Sequence, residues 1–411
     1  MAGDALLGHL RKACDDRVRV ADDADAVDGT PCRYVALPAS TGEVAELLRV
    51  AAEHGLRVVA RGAGTKQRWG SPPEAVDLVV EMAGLAGVVE HAAGDLITIA
   101  RAGTPMAELQ RVLATEHQQL AVDTPLPGAT LGGTVATSTS GPRRLLYGTL
   151  RDLLIGITFV RADGVVAKAG GKVVKNVAGY DFGKLLTGSY GTLGVITEVA
   201  LRLHPLPSAR RFVTVPVADA EAAVRVAAVL GSQVAPTAVE VDRPSDGGST
   251  VAVLLEGVDT GVEARAKVTA DLLGPASVVG DDPPGWFGEY PFGPTDLGLK
   301  LTTTLTGVSG LLAAVRGEAA APVSVRGSAA GVLYAGLPGG TDPDAAAAVV
   351  ERLRARATEL GGSAVVLTGP RATRDRLDVW GPVGGLDLMR RLKHELDPDR
   401  RLAPGRFVGG I

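Results

Sequence analysis

Histidine is nearly missing from the second half of this chain: of 6 in total, none lies between Pro205 and Lys393. A metal or acid–base set built on imidazole is therefore excluded from that stretch. Only two cysteines occur, Cys14 and Cys32. An iron–sulfur cluster needs about four thiolates, so none is expected here, and a chain of this size has no need of a disulfide. Aromatic residues make up 4% and the formal charge is −4, which leaves neither a stacking platform nor a basic footprint for nucleic acid. No apolar run is long enough to span a bilayer, and the opening MAGDALLGHLRKACDDRV carries charges throughout, unlike a signal peptide or anchor. These absences predict a cytoplasmic protein that reaches the inner-membrane surface only through a partner.

What is abundant is glycine, and it is clustered. Between Pro127 and Pro207, Gly128, Gly132, Gly133 and Gly141 alternate with Thr130, Thr134, Thr137, Ser138, Thr139 and Ser140. Glycine lets a backbone approach a ligand, and successive N–H groups with small hydroxyls can ring an anion such as a diphosphate. The same texture also suits a loop-rich β-structure whose glycines serve only turns. A second glycine loop lies upstream, Arg61-Gly62-Ala63-Gly64-Thr65-Lys66, following the apolar strand predicted at 56–60. Strand then glycine loop is the order a phosphate site requires.

At 411 residues with 46% hydrophobic and 21% charged positions, the chain can bury two domain cores. Residues up to Gly29 read as an acidic helical lead-in. A short strand over 33–37 precedes a helix opened by Ser40 and Glu43 as a capping box, with Val44, Leu47, Leu48 and Ala51 on one face. Further strands are predicted at 76–82, 88–90 and 96–101. Thr104-Pro105 reads as the N-cap and first turn of a helix running through Ala114. A hairpin follows over 153–160 and 165–168, turned at Asp163-Gly164. After Pro207 the pattern becomes β-α-β-β-α-β, twice, the two halves separated by the Pro/Gly-rich loop 281–294. Two such units predict a ferredoxin-like sheet with helices on one side.

The loop Arg61–Lys66, the Thr/Ser-rich glycine loop and the strand GTLGVITE (Gly191–Glu198) resemble, in order and spacing, the vanillyl-alcohol-oxidase/PCMH-type flavoproteins. The resemblance implies an α+β fold: a helical lead-in over 1–29 and a two-lobed PCMH-type FAD-binding domain over 30–207. A ferredoxin-like cap laid over the flavin follows at 208–375, and a C-terminal segment, 376–411, returns to the flavin domain. It implies non-covalent FAD, because members that bond flavin from the first loop use a histidine where this chain has Thr65. The implied cofactor contacts are Arg61, Gly62, Ala63, Gly64, Thr65 and Lys66; Gly128, Leu131, Gly132, Thr134, Thr137, Ser138 and Gly141; and Gly148, Asp152, Gly194 and Ile196. Ala63 and Thr134 stand where members often have Gly and Asn. In the ending LAPGR, Ala403 replaces the Asn of the family's LNPG.

Nearly the whole chain is similar to the E-type FAD-binding subunits of glycolate oxidases within that family. RGAGTK, KNVAGYDFGKLLTGSYGTLGVITEV, the His-free cap and the PGR-type ending carry the likeness. It implies a complex in which a sister flavoprotein has an HxGDGNxH-like metal motif, absent here, and a third subunit holds iron–sulfur clusters. This chain would then pass electrons from glycolate or D-lactate oxidation, with no metal of its own. The alternative is a self-sufficient FAD-dependent oxidoreductase acting on a small hydroxy acid or polyol. Its catalytic candidates are Lys300, Arg326 and Tyr334, with Tyr290, Arg371 and Arg374 behind them. Lys300 and Arg326 lead because they alternate with residues that face the other side of their strands.

Overall fold

The computed structural model describes residues 2–172, 179–316, 321–328 and 330–411. The chain divides into two compact units. One comprises Met1–Thr139, Thr149–Leu206 and Val383–Ile411; the other comprises Ser140–Gly148 and Pro207–Pro382.

The first unit contains two main sheets. In the smaller, the strand order is Val18–Val20, Tyr34–Ala36, Leu78–Glu81, Val58–Arg61, the last three parallel. The helix Thr41–Glu53 connects two of these strands and buries Val44, Leu47, Leu48 and Ala51, the predicted face. Ser40 accepts from the Glu43 N–H, but the Glu43 carboxylate turns to the Ala39 N–H at 2.8 Å and to Arg17 at 2.6 Å. Only half of the predicted capping box forms, because Arg17 offers the carboxylate a charged partner. The lead-in is likewise only partly helical: after Ala2–Ala13 it supplies the edge strand Val18–Val20.

The larger sheet is antiparallel, in the order Val88–Ala92, Ile97–Arg101, Val195–Arg202, Leu154–Val160, Val166–Gly170. The strands predicted at 88–90 and 96–101 pair with each other, the hairpin predicted at Asp163-Gly164 is present, and Gly164 takes the positive φ of +78° that its turn needs. Thr104 is not the helix cap. Pro105 occupies that position, and the Thr104 hydroxyl bonds to Gly87 N and Arg101 O instead. Residues 175–178, part of the KNVAGYD likeness, lie outside the described residues.

The second unit is an eight-stranded antiparallel sheet formed by two β-α-β-β-α-β halves, 209–280 and 297–368. Each half has ferredoxin-like strand order. They join through their second strands, Ala238–Arg243 and Ser324–Ser328, with Asp242 opposite Arg326. Val213, Val241, Val253, Leu299 and Leu333 face the helices Asp219–Leu230, Asp259–Leu273 and Pro343–Glu359 in one core. On the opposite face the loop 281–294 lays down its aromatics: Phe287 meets Phe212 edge-on at 5.1 Å, and Tyr290 stacks on Phe292 at 4.9 Å.

Candidate functional site

Three loops of the first unit converge because the backbone pins them together. Strand Val58–Arg61 delivers the loop 62–67, in which Gly64 adopts φ +74°. The short helix Leu131–Ala136 is fastened to the end of strand Ile97–Arg101 by bonds from Gly132 N to Ala102 O (2.7 Å) and from Leu131 N to Thr104 O (2.8 Å). The turn 188–191 then docks on that helix, through Gly188 N to Val135 O and Tyr190 N to Ala136 O. Together they line a cleft of about 770 Å³, counting the part open to solvent.

Of the residues implied by sequence, Arg61, Gly62, Ala63, Gly64, Thr65, Lys66, Gly132, Thr137, Gly194 and Ile196 line this cleft. The others stand elsewhere. Leu131 is fully buried in the core, and Thr134 spends its hydroxyl on Thr130 O at 2.8 Å. Asp152 caps its own helix through Thr149, and the Ser138 side chain lies beside Gly188. Gly128, in the loop before Thr130, is not among the lining residues, and Gly141 and Gly148 cluster with the second unit. Met82, Ala102 and Tyr190 line the cleft without having been foreseen, and Thr130, Gly191 and Arg406, which lay inside the named motifs, line it without having been assigned a contact. The likeness of the GTLGVITE strand pointed within a residue of Tyr190, and the PGR-type ending contained Arg406 without assigning it a contact.

Among the described residues the lining has three cations, Arg61, Lys66 and Arg406, and no carboxylate. Arg61 is held from behind: one guanidinium nitrogen donates to Asp25 at 2.9 Å and lies 3.4 Å from Glu81. Asp25 sits in the lead-in and also accepts from Arg19 and from the Asp22 N–H; these donors hold its carboxyl far below the usual range. Lys66 is 8% exposed, and the Trp69 ring, 5.9 Å from its ammonium, is the one group it engages among the described residues. Burial pushes its pKa down to about 8. A buried ammonium without a counter-charge is unfavourable unless an anion joins it.

Space points the same way. A Cβ on Gly132 would come within 2.7 Å of the Ala102 Cβ and 3.0 Å of its carbonyl oxygen, so the helix approaches as closely as only glycine allows. Gly132→Ala is expected to push the helix off its strand, costing about 1–3 kcal/mol of stability. Parallel denaturant unfolding of variant and parent without added ligand, followed by ligand titration, measures it; an unchanged midpoint would show the approach to be unimportant. The arrangement of buried cations around glycine backbone suits a diphosphate, and the apolar Ala60, Met82, Ala102 and Ile196 beside it suit a ring system.

In the second unit Lys300, Tyr334, Arg326 and Asp242 form one cross-strand row and therefore share a face. Arg326 is satisfied there, donating to Asp242 at 2.7 Å and to Tyr290 O at 3.2 Å. Tyr334 OH accepts from Arg144 at 3.2 Å. Lys300 engages no acceptor among the described residues. Burial first, and then the Arg144 charge, push its pKa down to about 8. Arg371 pairs with exposed Asp375, and Arg374 is buried against Gly369 O, so both serve structure. The two leading candidates thus diverge: Arg326 is neutralised, whereas Lys300 is a cation beside a cation.

This fold is that of the PCMH-type flavoproteins. p-Cresol methylhydroxylase with substrate bound aligns over 98% of this chain and 96% of its own, with a TM-score of 0.77 at 15% identity. Residues 32–170 match the family described as FAD binding domain, so the stretch is an FAD-binding domain and FAD is its cofactor. The glycolate oxidase subunit GlcE of Escherichia coli (strain K12) is 38% identical over 154 residues, 37% of this chain and 43% of that protein. The glycolate oxidase subunit GlcD of Bacillus subtilis (strain 168) is 29% identical over 236 residues, 57% of this chain and 49% of that protein. The matches thus span less than half the length of these relatives. Among the described residues no helix is long and apolar enough to cross a membrane.

Proposed function

We propose that this chain is an FAD-dependent oxidoreductase component acting in the oxidation of small 2-hydroxy acids, glycolate or D-lactate. In this reading it is the FAD-binding subunit of a complex, and relays electrons between a sister flavoprotein that performs the oxidation and an iron–sulfur subunit. The observation that carries it is the pairing of a cation-lined glycine cleft with a second unit that lacks histidine throughout. Such a chain can hold the flavin, while its second unit offers no imidazole to activate a hydroxyl. Bound FAD supplies the two-electron acceptor chemistry. The protein's own share is to fix the cofactor: backbone N–H groups and Lys66 at the phosphates, Arg61 steadied by Asp25, and Thr137 and Ile196 along the wall.

A second reading is favoured by Lys300. An ammonium of lowered pKa, beside Arg144 and Tyr334, suits a substrate carboxylate, and its neutral form suits proton abstraction. On this reading the chain oxidises a small hydroxy acid or polyol by itself.

The visible spectrum of the purified chain separates the two, recorded before and after anaerobic addition of glycolate and of D-lactate. Flavin bands that persist until a sister subunit is supplied are expected. Bands that bleach with the isolated chain would transfer the catalysis to Lys300 and its neighbours. A colourless protein that takes up no FAD would sink both readings.

A further inference from the structure

The cleft is walled in part by the far end of the chain. Strand Val58–Arg61 is flanked by the tail, with Val58 N bonded to Arg401 O and Ala403 N to Val58 O, each at 2.8 Å. Beyond it Arg406 is 5% exposed and donates one guanidinium nitrogen to Gln67 O at 2.6 Å and Trp69 O at 2.8 Å. Its own carbonyl accepts from Ser71 N at 3.2 Å. The residue is therefore seated in the turn that directly follows Lys66, and both residues line the same cleft. Next to it, the Phe407 ring leans on Tyr190, another lining residue, at 5.8 Å. Tyr190 holds φ +57°, a conformation costly for a bulky residue unless its surroundings fix it.

We propose that Arg406 is a ligand of the FAD diphosphate, acting with Lys66, and that occupancy of the cleft thereby further restrains the tail 400–411. The proposal rests on the reading of the cleft as an FAD site. Two cations brought to one cleft from opposite ends of the sequence both favour an anion placed between them. The anion then links the loop 62–67 to the tail through charge-assisted hydrogen bonds. A neutral ligand has no such effect.

The test uses the full chain stripped of flavin, in parent and Arg406→Gln forms. FAD is titrated by quenching of its fluorescence at low and high KCl, and amide hydrogen exchange of residues 400–411 is followed with and without FAD. The variant is expected to bind FAD roughly ten- to a hundredfold more weakly, with a shallower dependence on KCl because one ionic contact is gone. In the parent, FAD is expected to slow exchange across 400–411; in the variant it is not. An unchanged affinity would overturn the proposal. So would a weaker affinity with the parent's KCl dependence and a lower melting temperature of the flavin-free variant, which is the signature of a purely structural clamp. Retained affinity with a shifted flavin spectrum would place Arg406 at the flavin ring and also overturn it. A parent chain that takes up no FAD removes the cofactor reading itself.

Discussion

Lys66→Met is expected to weaken FAD binding by about a hundredfold and to abolish most of its pH dependence. In the flavin-free chain, burial lowers the Lys66 pKa to about 8. A bound diphosphate favours the charged ammonium and raises that value again. FAD affinity should therefore be flat below pH 8 and fall as pH rises through it, by up to tenfold per unit while binding must take up a proton. Folding of the flavin-free chain should move in the opposite direction. Between about 8 and the ordinary 10.5 the unfolded chain binds the proton that the folded one has lost, so stability increases with pH. The variant should thus melt higher than the parent below pH 8 while holding FAD poorly. Isothermal titration from pH 6 to 10, paired with melting curves, checks both. A parent affinity that does not vary across that range would refute the assignment.

The second large effect lies in the tail. Lys393 and Asp397 form a pair at 2.6 Å, 3% and 0% exposed. The ammonium also donates to Thr192 O at 2.8 Å and Leu402 O at 2.9 Å, while the carboxylate accepts from the Arg401 and Leu402 N–H groups. Burial pulls the Lys393 pKa below its usual value even with Asp397 beside it. Removing one partner leaves the other charge buried and uncompensated, which costs about 3–5 kcal/mol. Lys393→Met and Asp397→Ala are each expected to destabilise the first unit by that amount, and the double replacement by less than their sum. Denaturant midpoints of the three variants provide the cycle; strict additivity would show that the two residues act independently.

Much of the candidate cleft was legible because its parts are local. A strand followed by Gly62-Ala63-Gly64 and a Thr/Ser-rich glycine loop are short-range patterns, and ten of the implied contacts line one cleft. The repeated β-α-β-β-α-β order was legible for the same reason. What escaped depends on distance in sequence. Asp25 steadies Arg61 across 36 positions, and Arg406 reaches Gln67 across 339. No window of sequence holds both ends. Thr134 and Asp152 stand apart from that cleft for the opposite cause: their polar atoms bond to neighbouring backbone, a local competition typical of Thr and Asp. Ala403 was noted only for the lost amide of the usual Asn. The structure adds that it sits at φ +44°, where Asn is tolerated better than Ala.

The two halves of the second unit share their sheet through Ala238–Arg243 and Ser324–Ser328, strands that would be the outermost of each half alone. Separating them would bare two rows of backbone donors and acceptors, the kind of surface that templates aggregation. Each half therefore serves as the other's chaperone. The duplicated pattern, though it reads as two modules, behaves as a single heritable block: a crossover within the loop 281–294 would yield two sticky fragments rather than two domains.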